Sequence, residues 1–234
     1  MNKLLLDKVS ELSIELNDKQ VEQFIKFYEL LVEWNKVMNL TGITEWDEVL
    51  EKHFLDSISL IRAIDLNQEL TVMDMGTGAG FPGIPLKIAF PNLKVTLADS
   101  LNKRVLFLQE VIDALKLEGI EAIHGRAEDL ARDKTYREQY DLSVSRAVAN
   151  LSTLSEYCLP FVKLGGQFIS YKSGEVEEEV NISKSAVFLL GGKIKDTVKF
   201  ELGESGRSFI VIDKVKGTPK TYPRKAGTPS KKPL

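Results

Sequence analysis

The sequence predicts an α/β protein: a seven-stranded, mostly parallel sheet behind an N-terminal set of helices. Residues 1–66 place apolar side chains at helical spacing. From position 70 onward, short runs rich in β-branched residues alternate with helical ones, the pattern of βαβ units with helices on both faces of a parallel sheet. The last two apolar runs are separated only by residues 202–207, too few for a crossover, so they form an antiparallel hairpin at one edge.

The elements follow in order. Asn17 caps a helix whose apolar positions Val21, Phe24, Ile25, Tyr28, Leu31 and Val32 share one face. The Asn39-Leu40-Thr41-Gly42 stretch breaks it, and Thr44 with Asp47 has the spacing of a capping box for a second helix carrying Val49, Leu50, Phe54, Ile58 and Ile61 inward. Strand–helix pairs are expected at 70–75 with 84–90 and at 94–99 with 103–117, then a strand at 120–124. A strand at 141–146, a helix at 151–163, a strand at 166–172 and a helix at 176–190 come next, and the hairpin pairs 193–201 with 208–216. Three segments result: a helical cap at 1–66, a ligand-binding α/β unit at 67–217 and a basic, proline-rich tail at 218–234 expected to pack on or near the site.

Composition excludes several classes. The 234 residues are 43% hydrophobic and 28% charged, an ordinary globular balance. A lone cysteine, Cys158, rules out a disulfide framework and a cysteine-built zinc site. Acidic residues interrupt the first leucines, as a signal peptide would not allow, and no apolar run approaches the roughly 20 residues of a membrane span. The expectation is a cytoplasmic monomer without metal. Net charge is −3, yet Lys214–Leu234 carries seven basic residues and no acidic one, so the rest of the chain has ten more acidic than basic side chains. A basic, proline-stiffened end on an acidic body fits either contact with a polyanion or a solvated terminus.

The chemistry begins at Asp74-Met75-Gly76-Thr77-Gly78-Ala79-Gly80-Phe81-Pro82-Gly83, where a glycine-rich turn after the first parallel strand lets backbone approach a ligand. Gly78, Gly80 and Gly83 match the dinucleotide fingerprint. Asp74, Gly76, Gly78 and Gly80 match the turn that binds S-adenosylmethionine (SAM). The strand ends near Met75, which puts Gly76 where the first glycine of such a turn belongs, and Pro82 and Pro85 lengthen the turn beyond one wrapped on a pyrophosphate. That placement favours SAM over NAD. Asp99 ends the second strand, where its carboxylate can accept ribose hydroxyls, and Ala127 with Glu128 follows the third, placed to bracket an adenine. Arg146 and Lys172 end the fourth and fifth strands; Arg146 can hold the SAM carboxylate or an RNA phosphate. His53 and Asp56, one helical turn apart, can bond to the Asn39–Thr41 loop, while His124 and Cys158 read as core or boundary residues.

Taken in order, Asn39-Leu40-Thr41, His53-x-x-Asp56-Ser57, the glycine turn, Asp99-Ser100-x-x-Lys103-Arg104, Gly125-Arg126-Ala127-Glu128, Ser145-Arg146-Ala147 and Tyr222-Pro223-Arg224-Lys225-Ala226-Gly227-x-Pro229 closely resemble the RsmG (GidB) family over residues 31–234. The resemblance implies a SAM-dependent methyltransferase (Rossmann-like) fold, methylation of N7 of guanine 527 in 16S ribosomal RNA, and the RNA or small ribosomal subunit as partner. It also implies cofactor contacts at Gly76, Phe81, Ala127, Glu128 and Arg146, with Asp99 at the ribose. Arg224 and Lys225 are expected to grip phosphates and Tyr222 to stack on a base. N7 carries an in-plane lone pair and no proton, so the reaction needs positioning more than a general base. Two rivals stay open at this point: an NAD(P)-linked oxidoreductase, and an RNA-binding protein with a vestigial cofactor pocket.

Overall fold

A computed structural model describes residues 1–147 and 149–234. Seven strands form one sheet in the order β3-β2-β1-β4-β5-β7-β6, where β1 is Thr71–Met75, β2 Lys94–Asp99, β3 Ile120–His124, β4 Tyr140–Ser145, β5 Val162–Ser173, β6 Gly192–Leu202 and β7 Ser205–Lys214. The first five are parallel, and β7 runs antiparallel to both β5 and β6. The hairpin and its short connection are as the spacing predicts. Strand β5 starts at Val162 rather than 166, because the register to β4 shifts and residues near Gly165 (φ +84°) form a bulge in the added stretch.

Alternation along the strands sorts side chains between two cores. Val72, Leu97, Val144, Ile169 and Val211 face one side; Met73, Ala98, Phe168, Ile210 and Ile212 face the other. The N-terminal helices α1 (Asn2–Ser10) and α2 (Asp18–Asn35) pack on the first face together with α5 (Gly83–Ala89) and α6 (Asn102–Ala114), all in one continuous hydrophobic cluster. Helices α8 (Leu151–Cys158) and α9 (Glu177–Leu189) cover the second face, joined there by tail residues Tyr222 and Leu234.

Asn17 caps α2 with a reciprocal box to Gln20, and the Gln20 side-chain amide then donates to the Ile88 and Ala89 carbonyls, satisfying the end of α5 from the cap. The second capping box does not form. Helix α3 (Trp46–Val49) starts after Glu45, which makes no side-chain cap, and continues through a π-helical turn, Leu50–Leu55, into α4 (Asp56–Ile58). That wide turn contains His53 and leads into Asp56; such turns frequently mark functional sites.

Candidate functional site

In open parallel sheets, ligands bind beyond the carboxyl ends of the strands where strand order reverses. Here that point lies between β1 and β4. The backbone leaves β1 through Gly76, Gly78 and Gly80, all with positive φ (+73°, +61° and +92°). Asp74 lies fully buried beneath this turn rather than in a cavity. Its Oδ2 accepts from Thr77 Oγ1 at 2.6 Å and from the Gly83 amide at 2.8 Å, while Oδ1 has no partner among the described residues. Burial pushes its carboxyl up to about 6 against the pull of those two donors. A Cβ at Gly80 would strike Ile84 and Leu108, not a ligand, whereas one at Gly78 meets no atom of the described residues within 4 Å. The three glycines therefore have different reasons.

A cavity of about 460 Å³ opens beside the turn, lined by Gly76, Asp99, Ala127, Glu128, Tyr157 and Gly227 among others. Asp99 Oδ2 accepts from the Gly78 amide (3.0 Å) and Oδ1 from the Leu101 amide (2.9 Å), which fixes the carboxylate in the wall with accepting capacity left over. Arg104 approaches Asp99 Oδ2 at 3.4 Å. Glu128, nearly buried at the start of α7 (Ala127–Leu130), accepts from the Gly227 amide at 2.9 Å. A carboxylate for a diol, backbone for close approach and a buried pocket at the α7 start fit a nucleoside-bearing donor, and the volume lies within the usual 300–1,000 Å³ of small-ligand sites.

A second cavity, about 640 Å³, adjoins it; Ala147 and Ala149 line both. Its wall carries Lys52, His53, Asp56, Arg146, Tyr171 and Lys172. Arg146 Nη1 donates to the Lys52 carbonyl and to Asp56 Oδ2, both at 3.0 Å, and the guanidinium sits 5.0 Å over the Phe81 ring. Arg207 Nε reaches the other Asp56 oxygen at 2.9 Å. His53 stacks on Phe81 with centroids 4.6 Å apart, and its Nε2 lies 2.8 Å from Thr41 Oγ1. Burial and the adjacent Arg146 lower the His53 pKa to about 4, so the ring is neutral at pH 7. Lys172 Nζ donates to the Ala149 carbonyl and to Glu179, each at 2.7 Å.

Of the residues expected from sequence to hold the cofactor, Gly76, Asp99, Ala127 and Glu128 meet in the first cavity. Gly78 supports it through Asp99; Asp74 and Gly80 shape the turn from beneath. Phe81 faces the cap, stacked on His53 with the tilted rings of Phe27 and Phe54 beside it, and Arg146 lines the second cavity with Lys172. His53 does bond the Asn39–Thr41 loop, whereas Asp56 turns to two arginines instead.

Side chains of the tail depart most from expectation. Arg224 is no free phosphate clamp: its Nε donates to Oε1 and its Nη2 to Oε2 of Glu156, a bidentate pair, and Glu156 is fully buried. Tyr222 packs on the second core, and Lys225 alone of the three is exposed. Sequence reasoning missed Gly227, Tyr157 and Arg207. The Tyr-Pro-Arg-Lys-Ala-Gly motif contained a signal for Gly227, but its basic character drew attention to RNA.

Strand order, glycine turn and acidic strand end together define a SAM-dependent methyltransferase fold. Solved structures agree: a SAM-dependent methyltransferase from Aquifex aeolicus superposes with TM-score 0.53 at 20% identity over 70% of this chain and 92% of that one. M. jannaschii TYW2 in complex with AdoMet gives 0.53 at 19% over 66% and 73%. At the level of sequence, the model of the family "rRNA small subunit methyltransferase G" (GidB) matches residues 20–208. The Ribosomal RNA small subunit methyltransferase G of Lachnoclostridium phytofermentans is 54% identical over 100% of this chain and 97% of its own, and that of Alkaliphilus metalliredigens 53% over 99% and 98%. The chain belongs to the rRNA small subunit methyltransferase G family.

Proposed function

We propose that the chain transfers the methyl group of S-adenosylmethionine to N7 of a guanine in 16S ribosomal RNA, guanine 527 by family resemblance, acting on the RNA or the small subunit as a cytoplasmic monomer. The observation that carries this reading is the adjacency of the two cavities across Ala147 and Ala149, one suited to a nucleoside donor and the other rich in hydrogen-bond donors. SAM supplies a methyl activated by its sulfonium: the N7 lone pair forms the new N–C bond as the C–S pair returns to sulfur, and no proton moves.

The protein's task is then orientation and exclusion of water, for which proximity contributes roughly 7–11 kcal/mol. Gly76 and Asp99 hold the donor side. Arg146 and Lys172 offer N–H groups to guanine O6 or a flanking phosphate from the acceptor side. Neutral His53, engaged with Thr41 and stacked on Phe81, packs the site rather than moving a proton. N7 is hidden in the narrow A-form groove, so the target guanine enters from a loop or flipped out of its stack.

Single-turnover transfer to small-subunit RNA in which the target guanine is replaced by 7-deazaguanine tests the atom directly. Binding retained with transfer lost supports N7; transfer to the deaza RNA overturns it. Binding of unmodified RNA without transfer favours the vestigial-pocket rival, and tight NADH binding without SAM binding the oxidoreductase.

A further inference from the structure

The C-terminal segment meets the donor cavity at Gly227, which lines it and donates its amide to Glu128 Oε1 at 2.9 Å. On either side of Gly227 the chain is tied down by groups from the α/β body. Arg224 pairs with the buried Glu156 of α8, and the Arg224 amide also donates to Glu156 Oε1 at 2.7 Å. Thr153 Oγ1 donates to the Pro229 carbonyl (3.0 Å), Arg132 to that of Pro223 (2.7 Å) and Arg137 to that of Tyr222 (3.0 Å). A terminal segment with this many specific bonds is not a solvated end.

We propose that residues 222–229 are a strap forming one wall of the donor site, with Gly227 contacting the donor and Arg224 a positioning residue that acts through Glu156. The proposal rests on the first cavity being the SAM site. Glu128 and Tyr157 lie in the same wall, so the strap closes over the nucleoside end of the donor. Lys225, exposed two residues from Gly227, is free to meet RNA. If RNA meets Lys225 only with the strap docked, donor and RNA binding are linked, and each then raises the other's affinity by the same factor. Simple packing of a terminus predicts no such response to ligand.

Trypsin cleavage after Lys225 in the full-length protein, with and without S-adenosylhomocysteine, tests this. If the donor binds only with the strap docked, cleavage from the open state slows about 100-fold at a ligand concentration 100 times Kd, while cleavage after exposed Lys36 is unchanged. S-adenosylhomocysteine that binds by calorimetry yet leaves the Lys225 rate unaltered overturns the strap; failure to bind at all overturns the donor reading and the strap with it. The double variant Arg224→Gln/Glu156→Gln removes the bidentate ion pair without leaving either charge buried alone. Its affinities for S-adenosylhomocysteine and adenosine are expected to fall by the same factor, about tenfold. Lowered thermal stability with both affinities unchanged reduces the strap to packing and contradicts the proposal.

Discussion

Arg146 and Asp56 meet at 3.0 Å across the boundary between the sheet and the N-terminal helices. Asp56 is 5% exposed and holds Arg207 with its second oxygen, so one carboxylate from α4 organises two guanidiniums, from the end of β4 and from β7. The cap is thereby part of the second cavity, not only a cover for the core.

The first prediction concerns that pair. Lysine cannot reproduce the fork that reaches Asp56 and the Lys52 carbonyl while lying over Phe81. Arg146→Lys is expected to lower single-turnover methyl transfer by about 100-fold, a loss of roughly 2.7 kcal/mol in transition-state stabilisation, with S-adenosylhomocysteine affinity changed less than about threefold. Asp56→Ala strands two cations and is expected to destabilise the fold by roughly 3 kcal/mol, read from the urea midpoint.

A second prediction separates the glycines. The Cβ of Gly78→Val meets no atom of the described residues within 4 Å, and its positive φ costs about 1–2 kcal/mol; the fold is expected to survive with SAM binding abolished. Gly83→Ala instead forces a methyl against Leu97 and to 2.8 Å from Asp74 Oδ2. Overpacking of that kind costs roughly 1–3 kcal/mol, so thermal denaturation is expected to show a clear drop for Gly83→Ala. An unchanged SAM affinity in Gly78→Val would show that the turn is not at the donor.

Stability should respond to pH through two opposed groups. The unfolded chain protonates His53 near 6.5 but the folded one only near 4, so that contribution is complete above 6.5 and lost as pH falls towards 4. Asp74 runs the other way: its folded carboxyl titrates near 6 against 3.8 unfolded, so its contribution is present at low pH and lost as pH rises from 3.8 through 6. Each shift of about two units corresponds to roughly 3 kcal/mol. Relative to wild type, His53→Gln is expected to lose stability as pH rises from 4 to 6, and Asp74→Asn to gain it; urea midpoints across that range check both signs.

Cys158 supplies a fourth prediction. It is fully buried, and burial raises its thiol well above the ordinary range. Iodoacetamide is expected to label it only at the rate of global unfolding, and labelling faster than hydrogen exchange of the core strands would show that the second core opens locally.

The sheet was legible because its signals are local: β-branched runs, a short final connection and glycines where backbone must bend. The cap boundary at Glu45 was not, since the π-helical turn around His53 answers to packing against Phe81 and Trp46 rather than to any residue propensity. Asp99, Ala127 and Glu128 were legible from their places at strand ends. Sequence puts Arg146 at a strand end but leaves open which cavity it lines, because the direction of its guanidinium depends on Asp56, 90 positions away. Arg224 is the same case: its basic surroundings in sequence point to phosphate, and only the fold brings the buried Glu156 to it. Long-range ion pairs leave no trace in local pattern.

The most direct test is to incubate the protein with methyl-labelled SAM and small ribosomal subunits lacking the modification, then map the label. The account predicts one methyl per 16S RNA, on guanine, at N7, with strand scission at that nucleotide after borohydride and aniline treatment. Label on another atom or another base, or binding of SAM and RNA with no label transferred, would contradict it.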